Sequence, residues 1–345
     1  MYPKRWERWK LWLEFIIDVL EDDWVERENM SVETEGNPDY SMERSLIAKY
    51  LQLEGGKMGG NRRVVRAVFA DGGAKAMNEF TEVFKNETKA RKKDDGVMKK
   101  WEPKVDVEEE IYGDYLEDDD GEEDVEDDMT DTSEPVVNDA TLDADENVAN
   151  GAELLGGMES LILRQRLLAL LSAVSDTLPE QFTTVGALYD LYLDHIRPLP
   201  VPTFQMLVSP SALPYFPPVA RSSLNQFILR SLLASSAPNP STDELNQDML
   251  EQNFLPYPAN TSNIADNVKV SLLVETLLRL LDKHIGLNPT PRLSHAVEAG
   301  IEAREKKVNG DRRKRGSIKK EEEADRVWLD GSANRMRALM EMITD

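Results

Sequence analysis

The stretch NIADNVKVSLLVETLLRLLDKHIG, residues 263–286, decides the fold class. Its apolar residues Val268, Val270, Leu272, Leu273, Leu277, Leu278, Leu280 and Leu281 recur at helical spacing, without the alternation a half-buried strand requires. Gly286 stands where a helix end favours glycine, and Pro289 follows it. A helix over about residues 263–285 is predicted, the longest of its region.

The same grammar extends upstream. A helix over 159–178 carries Leu161, Ile162, Leu163, Leu167, Leu168, Leu170, Leu171 and Val174 and stops before Pro179. A helix over 184–196, with Val185, Leu188, Leu191 and Tyr192, stops before Pro198. Residues 199–202 read as a Leu-Pro-Val-Pro turn ahead of a short apolar piece, 204–208. Pro217 and Pro218 are placed to start a helix over 219–236, with Leu224, Phe227, Ile228, Leu232 and Leu233 on its face. Ser241-Thr-Asp-Glu244 has the form of a capping box for a helix reaching about residue 254. Fourteen of the 18 prolines fall in 161–300 and sit between periodic segments, so they punctuate helices rather than break them. Residues 159–300 are thus expected to form a Pro-punctuated helical unit, an irregular bundle or an α-solenoid-like array without a fixed repeat.

The N-terminal 100 residues read as a second, smaller helical unit. Trp6, Trp9, Leu13, Ile16, Leu20 and Trp24 recur at intervals of three or four, and Ile17 widens the stripe. Each tryptophan brings on the order of 150–250 Å² of surface to bury. Further helices are predicted over 41–53 (Leu46, Ile47, Tyr50, Leu51), over 62–69, and over 74–93 (Met77, Phe80, Val83, Phe84) with a basic end at Lys89, Arg91, Lys92 and Lys93. The expected architecture is all-α, with two helical units separated by a disordered acidic linker.

Charge defines that linker. The chain carries 65 acids against 41 bases, a net charge of −24. Residues 105–163 hold 23 of those acids and no Lys or Arg, leaving 42 acids against 41 bases elsewhere. The formal charge therefore belongs to one insert, which argues against a whole-chain basic nucleic-acid binder and against a uniformly acidic, disordered chain. From Asp106 to Asp128, 15 of 23 residues are acidic, too few apolar groups to offset chain entropy, so residues 101–158 are expected to be disordered. Tyr112 and Tyr115, with Ile111 and Leu116, form an apolar cluster inside the tract that could fold on a basic, apolar partner.

Residues 301–345 form a charged helical tail. Helices are predicted over 296–308 and over 321–343, the latter interrupted at Gly331. Between them Lys306-Lys307, Arg312-Arg313-Lys314-Arg315 and Lys319-Lys320 fit a nuclear localisation signal, which binds an acidic groove on an import receptor. Ser317 lies where a basophilic kinase would phosphorylate it. A second basic patch, eight cations against four acids over 85–104, abuts the polyanion and reads as self-association or masking of the patch rather than a DNA-binding surface.

Catalytic and metal patterns are missing from the sequence. There is no cysteine and there are three histidines, His195, His284 and His295, none in a ligand spacing. His195 and His284 occupy ordinary ends of predicted helices. The run Gly55-Gly56-Lys57-Met58-Gly59-Gly60 lacks the Ser or Thr and the preceding strand of a phosphate loop. No apolar run is long and uncharged enough for a secretory leader or a membrane span, so a soluble intracellular protein is expected.

These readings converge on a nuclear, non-enzymatic scaffold or adaptor subunit of a larger assembly, serving chromatin, DNA repair or ribosome biogenesis. Its partners are proteins, engaged through Trp6, Trp9 and Trp24, through the leucine-rich unit, and through Tyr112 and Tyr115. No cofactor, membrane contact or direct nucleic-acid contact is expected. A second reading is an acidic-tract binder of basic proteins such as histones. A third is an enzyme whose site carries no recognisable motif. Phosphate at Ser317 would subtract about 1.5–2 charges from the basic cluster. Ser317→Glu is therefore expected to slow nuclear accumulation of a tagged chain, and unchanged import would remove that role.

Overall fold

The computed structural model describes residues 3–33, 41–55, 60–71, 73–80, 155–209, 215–240, 244–310 and 320–344. By contact the chain divides into two units, and every described residue belongs to the one made of Met1–Glu82 and Leu142–Asp345. The second unit, Val83–Thr141, lies outside the described residues, as does most of the acidic tract with Tyr112 and Tyr115.

Helix α1 (Pro3–Glu33) takes up the tryptophan-rich N-terminus. A 3-10 turn over Met42–Arg44 leads into α2 (Leu46–Gly55), and α3 (Gly60–Val68) and the short α4 (Ala74–Glu79) follow. The predicted extension of α4 to residue 93 lies outside the described residues from 81 onward. Helices α5 (Gly157–Thr177), α6 (Val185–Ile196), α7 (Val201–Val208) and α8 (Pro218–Leu232) come next. Helix α9 (Gln247–Met249) runs on as a π-helical turn over Leu250–Phe254. Helices α10 (Ile264–His284), α11 (Pro291–Gly310) and α12 (Lys320–Thr344) complete the order. Among the described residues there is no strand, and one isolated antiparallel bridge joins Leu233 to Ala259.

Local chemistry sets several of these ends. The Thr184 side chain accepts from the Ala187 amide at 3.3 Å to start α6, and Asn263 accepts from Ala265 at 3.1 Å to start α10. Pro218 occupies the first turn of α8, where its missing N–H would have been unpartnered in any case. Gly286 adopts φ +83° just past α10 and its amide reaches back to the Leu281 carbonyl at 3.1 Å.

Three of the differences from the sequence reading have a cause in capping or packing. Helix α7 begins at Val201, because Pro202 sits in the first turn, where proline is tolerated. The cap of α9 is Asn246, whose side chain accepts from the Met249 amide at 2.8 Å, rather than the Ser241 box. Helix α12 passes through Gly331 without a break. Leu329, Ser332, Ala333 and Met336 are buried on either side, and that packing outweighs the ~1 kcal/mol helical cost of one glycine.

Helix α10 is the centre of the packing. Fifteen of its 21 residues are buried, more than one face can supply, and it packs against α7, α8, α11 and α12. Asn267, Lys269, Ser271 and Glu275, buried polar residues of this helix, have hydrogen-bond partners. Asn267 donates to the Asn263 carbonyl at 2.8 Å and accepts from the Ala259 amide at 3.1 Å. Ser271 donates to Ser332 at 3.0 Å, Ser332 donates to Glu275 at 2.8 Å, and Arg335 grips both Glu275 oxygens at 2.7 and 2.9 Å. This relay fixes α12 against α10.

Helix α11 docks on the π-helical turn through a glycine. A Cβ at Gly300 would stand 1.8 Å from the Leu255 carbonyl oxygen, so only glycine permits the approach. One turn on, the fully buried Arg304 donates to the Leu255 and Tyr257 carbonyls at 3.2 and 3.4 Å. Those carbonyls lie where the turn ends and the backbone is electron-rich. Burial pushes the guanidinium pKa down to about 10.

The N-terminal helices share this core instead of holding their own. Trp24, Ile47, Ala48, Leu51, Val65, Val68 and Phe69 belong to one buried cluster with residues of α5, α6 and α10. The Phe69 ring stacks on His195 at 5.1 Å, and Arg164 of α5 donates to the Val68 and Ala70 carbonyls at the end of α3. The described parts of the two segments separated in the sequence reading are therefore one packed body.

Gly300→Ala is expected to destabilise the chain by about 2–3 kcal/mol, in the range of overpacked cores. Gly186→Ala, at a helical site with nothing within 4 Å, is expected to stabilise slightly. Chemical denaturation of both variants checks the pair. Equal midpoints would contradict the close approach.

Candidate functional site

Helix α1 carries apolar residues on more than one side, so its rotation about its own axis decides which of them face water. Ion pairs to α5 set that rotation. Lys10 meets Glu159 at 2.7 Å and holds its carboxyl below the usual range. Farther along, Arg166 reaches Asp18 at 2.6 Å and Glu21 at 3.0 Å, with its guanidinium 5.8 Å from the Tyr215 ring centroid. On a third bearing, Asp23 accepts from the Leu46 amide at 2.7 Å, tying α1 to the start of α2. Ile17 and Trp24 are buried on this clamped side.

The opposite side faces solvent. Leu11, Trp12, Phe15, Ile16 and Val19 follow helical spacing and are 67, 62, 59, 48 and 37 % exposed. The Trp12 and Phe15 rings meet edge-on, 6.4 Å apart. Together the five present on the order of 500 Å² of apolar surface, the size at which the largest patch of a monomer is often functional. Charge divides along the same side. Arg8 is exposed toward the N-terminus, and Asp22 and Glu26 are exposed toward the C-terminus. A shorter exposed row, Leu46, Tyr50 and Leu53, lies on α2, where Ile47, Ala48 and Leu51 take the buried side.

The structure distributes the sequence-derived candidates unevenly. Trp24 is 5 % exposed and belongs to the core, so it holds the fold and is closed to a partner. Trp6 and Trp9 are half-buried. Lys306 is exposed and Lys307 half-buried on the last turns of α11, whereas Arg312, Arg313, Lys314, Arg315 and Ser317 lie outside the described residues, as do Tyr112 and Tyr115. The exposed side of α1 escaped the sequence reading although its signal, Leu11–Trp12–Phe15–Val19, was present, and Ile16, assigned there to the tryptophan stripe, is 48 % exposed. Counting tryptophans favours the other stripe, and periodicity does not say which stripe is covered.

Concave regions lie elsewhere on the described residues. One, of about 830 Å³, is bordered by Lys269, Arg197, Asp194, Asp266, Asp325 and Trp328. Lys269 donates to the Arg197 carbonyl at 2.6 Å and lies 5.5 Å from the Phe204 ring centroid. Burial lowers its pKa, with Asp266 and Asp325 opposing. Its ammonium thus closes the C-terminal end of α6, a structural role. A groove of about 510 Å³ between α1, α5 and α8 has an apolar floor at Trp24, Leu170 and Tyr189 and an acidic rim at Glu21, Glu28 and Asp176. Arg166 already engages Glu21.

Among the described residues no group of His, Asp and Glu could hold a metal ion, and no helix is long and apolar enough to cross a membrane. No protein-family model, curated protein or solved structure matches the chain.

Removing the clamp tests the geometry. Arg166→Met forfeits hydrogen bonds to charged groups worth about 1–2 kcal/mol after allowance for the exposed Asp18. Hydrogen exchange in α1 is expected to quicken roughly tenfold, with α10 unchanged. Equal loosening of both helices would show that the clamp does not act locally.

Proposed function

We propose that the protein is a non-enzymatic nuclear scaffold or adaptor subunit of a larger assembly, serving chromatin, DNA repair or ribosome biogenesis. Its working surface is the outward side of α1. The observation that carries this reading is the continuous exposure of Leu11, Trp12, Phe15, Ile16 and Val19 on a helix whose other side is pinned by ion pairs. A pinned helix offers that surface without an ordering cost, which favours association. Two aromatic side chains at its centre are the residue type that anchors protein interfaces. Nuclear location rests on the basic cluster Lys306, Lys307 and Arg312–Arg315.

A second reading has its own observation, the 15 acids among residues 106–128. A tract of that density captures basic proteins such as histones by charge alone. The two differ in salt dependence, because exposed charges are screened beyond ~8 Å at physiological ionic strength while apolar contact is not.

The test is recovery of nuclear partners by tagged chains. Trp12→Glu/Phe15→Ser is expected to lower recovery at least tenfold while leaving the circular dichroism spectrum unchanged, because neither side chain belongs to the buried core. Deleting 105–158 is expected to leave the salt-resistant partners in place. Full recovery with the double variant and loss on deletion would transfer the function to the acidic tract.

A further inference from the structure

We propose that the outward side of α1 is covered by a second copy of this chain, in an antiparallel two-fold pair whose axis passes beside Phe15. This rests on the reading of that side as an interface and adds its occupant. Charge complementarity carries it. Arg8, Phe15 and Asp22 are spaced by seven residues, two turns, and so share one line along the helix. Arg8 and Asp22 each stand about 10 Å from Phe15 along the axis at 1.5 Å per residue.

Rotating one copy by 180° about an axis at Phe15 brings its Arg8 level with the other copy's Asp22, twice over. The same rotation sets Leu11 level with the other copy's Val19 and places the two Phe15 rings together at the centre. Glu26, exposed one turn beyond Asp22, extends the acidic end of the same side. A parallel pair would oppose base to base and acid to acid.

The area agrees with a specific contact. Two apolar sides of on the order of 500 Å² each reach the ~1,000 Å² that a biological interface needs. A two-fold contact is also the commonest way for a single patch to satisfy itself. The apolar centre supplies attraction, and the flanking charges set direction and register.

The experiment is the mass of the full chain by sedimentation and light scattering across a dilution series, with charge reversals at two exposed positions. Wild type is expected to dimerise. Trp12→Glu/Phe15→Ser is expected to be monomeric with an unchanged circular dichroism spectrum. Arg8→Glu and Asp22→Arg are each expected to weaken dimerisation about tenfold, since each opposes like charges at both symmetric contacts. Mixing the two single variants restores opposite charges at both contacts, so a heterodimer of near wild-type affinity is expected. A wild-type chain that stays monomeric to ~100 µM, or a mixture no tighter than the single variants, would overturn the proposal. If the wild type is monomeric while Trp12→Glu/Phe15→Ser still loses nuclear partners, the surface is an interface for a different protein. If that variant keeps both its partners and its dimer, the reading of the surface fails as well.

Discussion

Burial around the whole circumference of α10 is the constraint on which the other helices depend. A helix whose residues are covered on every side cannot lie at a surface, so neighbours must surround it. Helices α7, α8, α11 and α12 do so, and the seats of α11 and α12 each carry a specifying device. The Ser271–Ser332–Glu275–Arg335 relay orients α12. Gly300 and Arg304 seat α11 on the π-helical turn that precedes α10. Apolar area supplies the attraction, and these polar and steric devices select one arrangement from the many that leucine-rich helices could adopt.

The N-terminal helices complete the body and create its asymmetry. Their buried side chains join the common cluster through α5 and α6, while ion pairs from Lys10, Asp18 and Glu21 fix how α1 is turned. Once that rotation is fixed, Leu11, Trp12, Phe15, Ile16 and Val19 have no other course than to face outward. Their exposure follows from charges on the far side of the same helix. The apolar surface and the clamp are two halves of one design, because a loosely held α1 could roll its exposed side inward.

Much of this was legible in the sequence where the cause is local. Thr184, Asn263, Pro218 and Gly286 do what their residue types predict within a few positions of themselves. The sequence was silent where the cause lies far along the chain. Nothing near Gly331 shows that α12 continues through it, since the packing that carries the helix comes from α10. The close approach at Gly300 depends on the Leu255 carbonyl, 45 residues away. The shared core and the outward side of α1 belong to this class too. Glu159 and Arg166, which turn the helix, are separated from it by the whole acidic insert, and no periodicity within α1 contains them.

The most direct measurement is hydroxyl-radical footprinting of the full chain in its native assembly and after dilution to the monomer. A covered interface predicts that Trp12 and Phe15 are protected in the assembly and become several-fold more reactive on dilution, with Trp24 unreactive in both. Equal, high reactivity of Trp12 and Phe15 in the two states would contradict it.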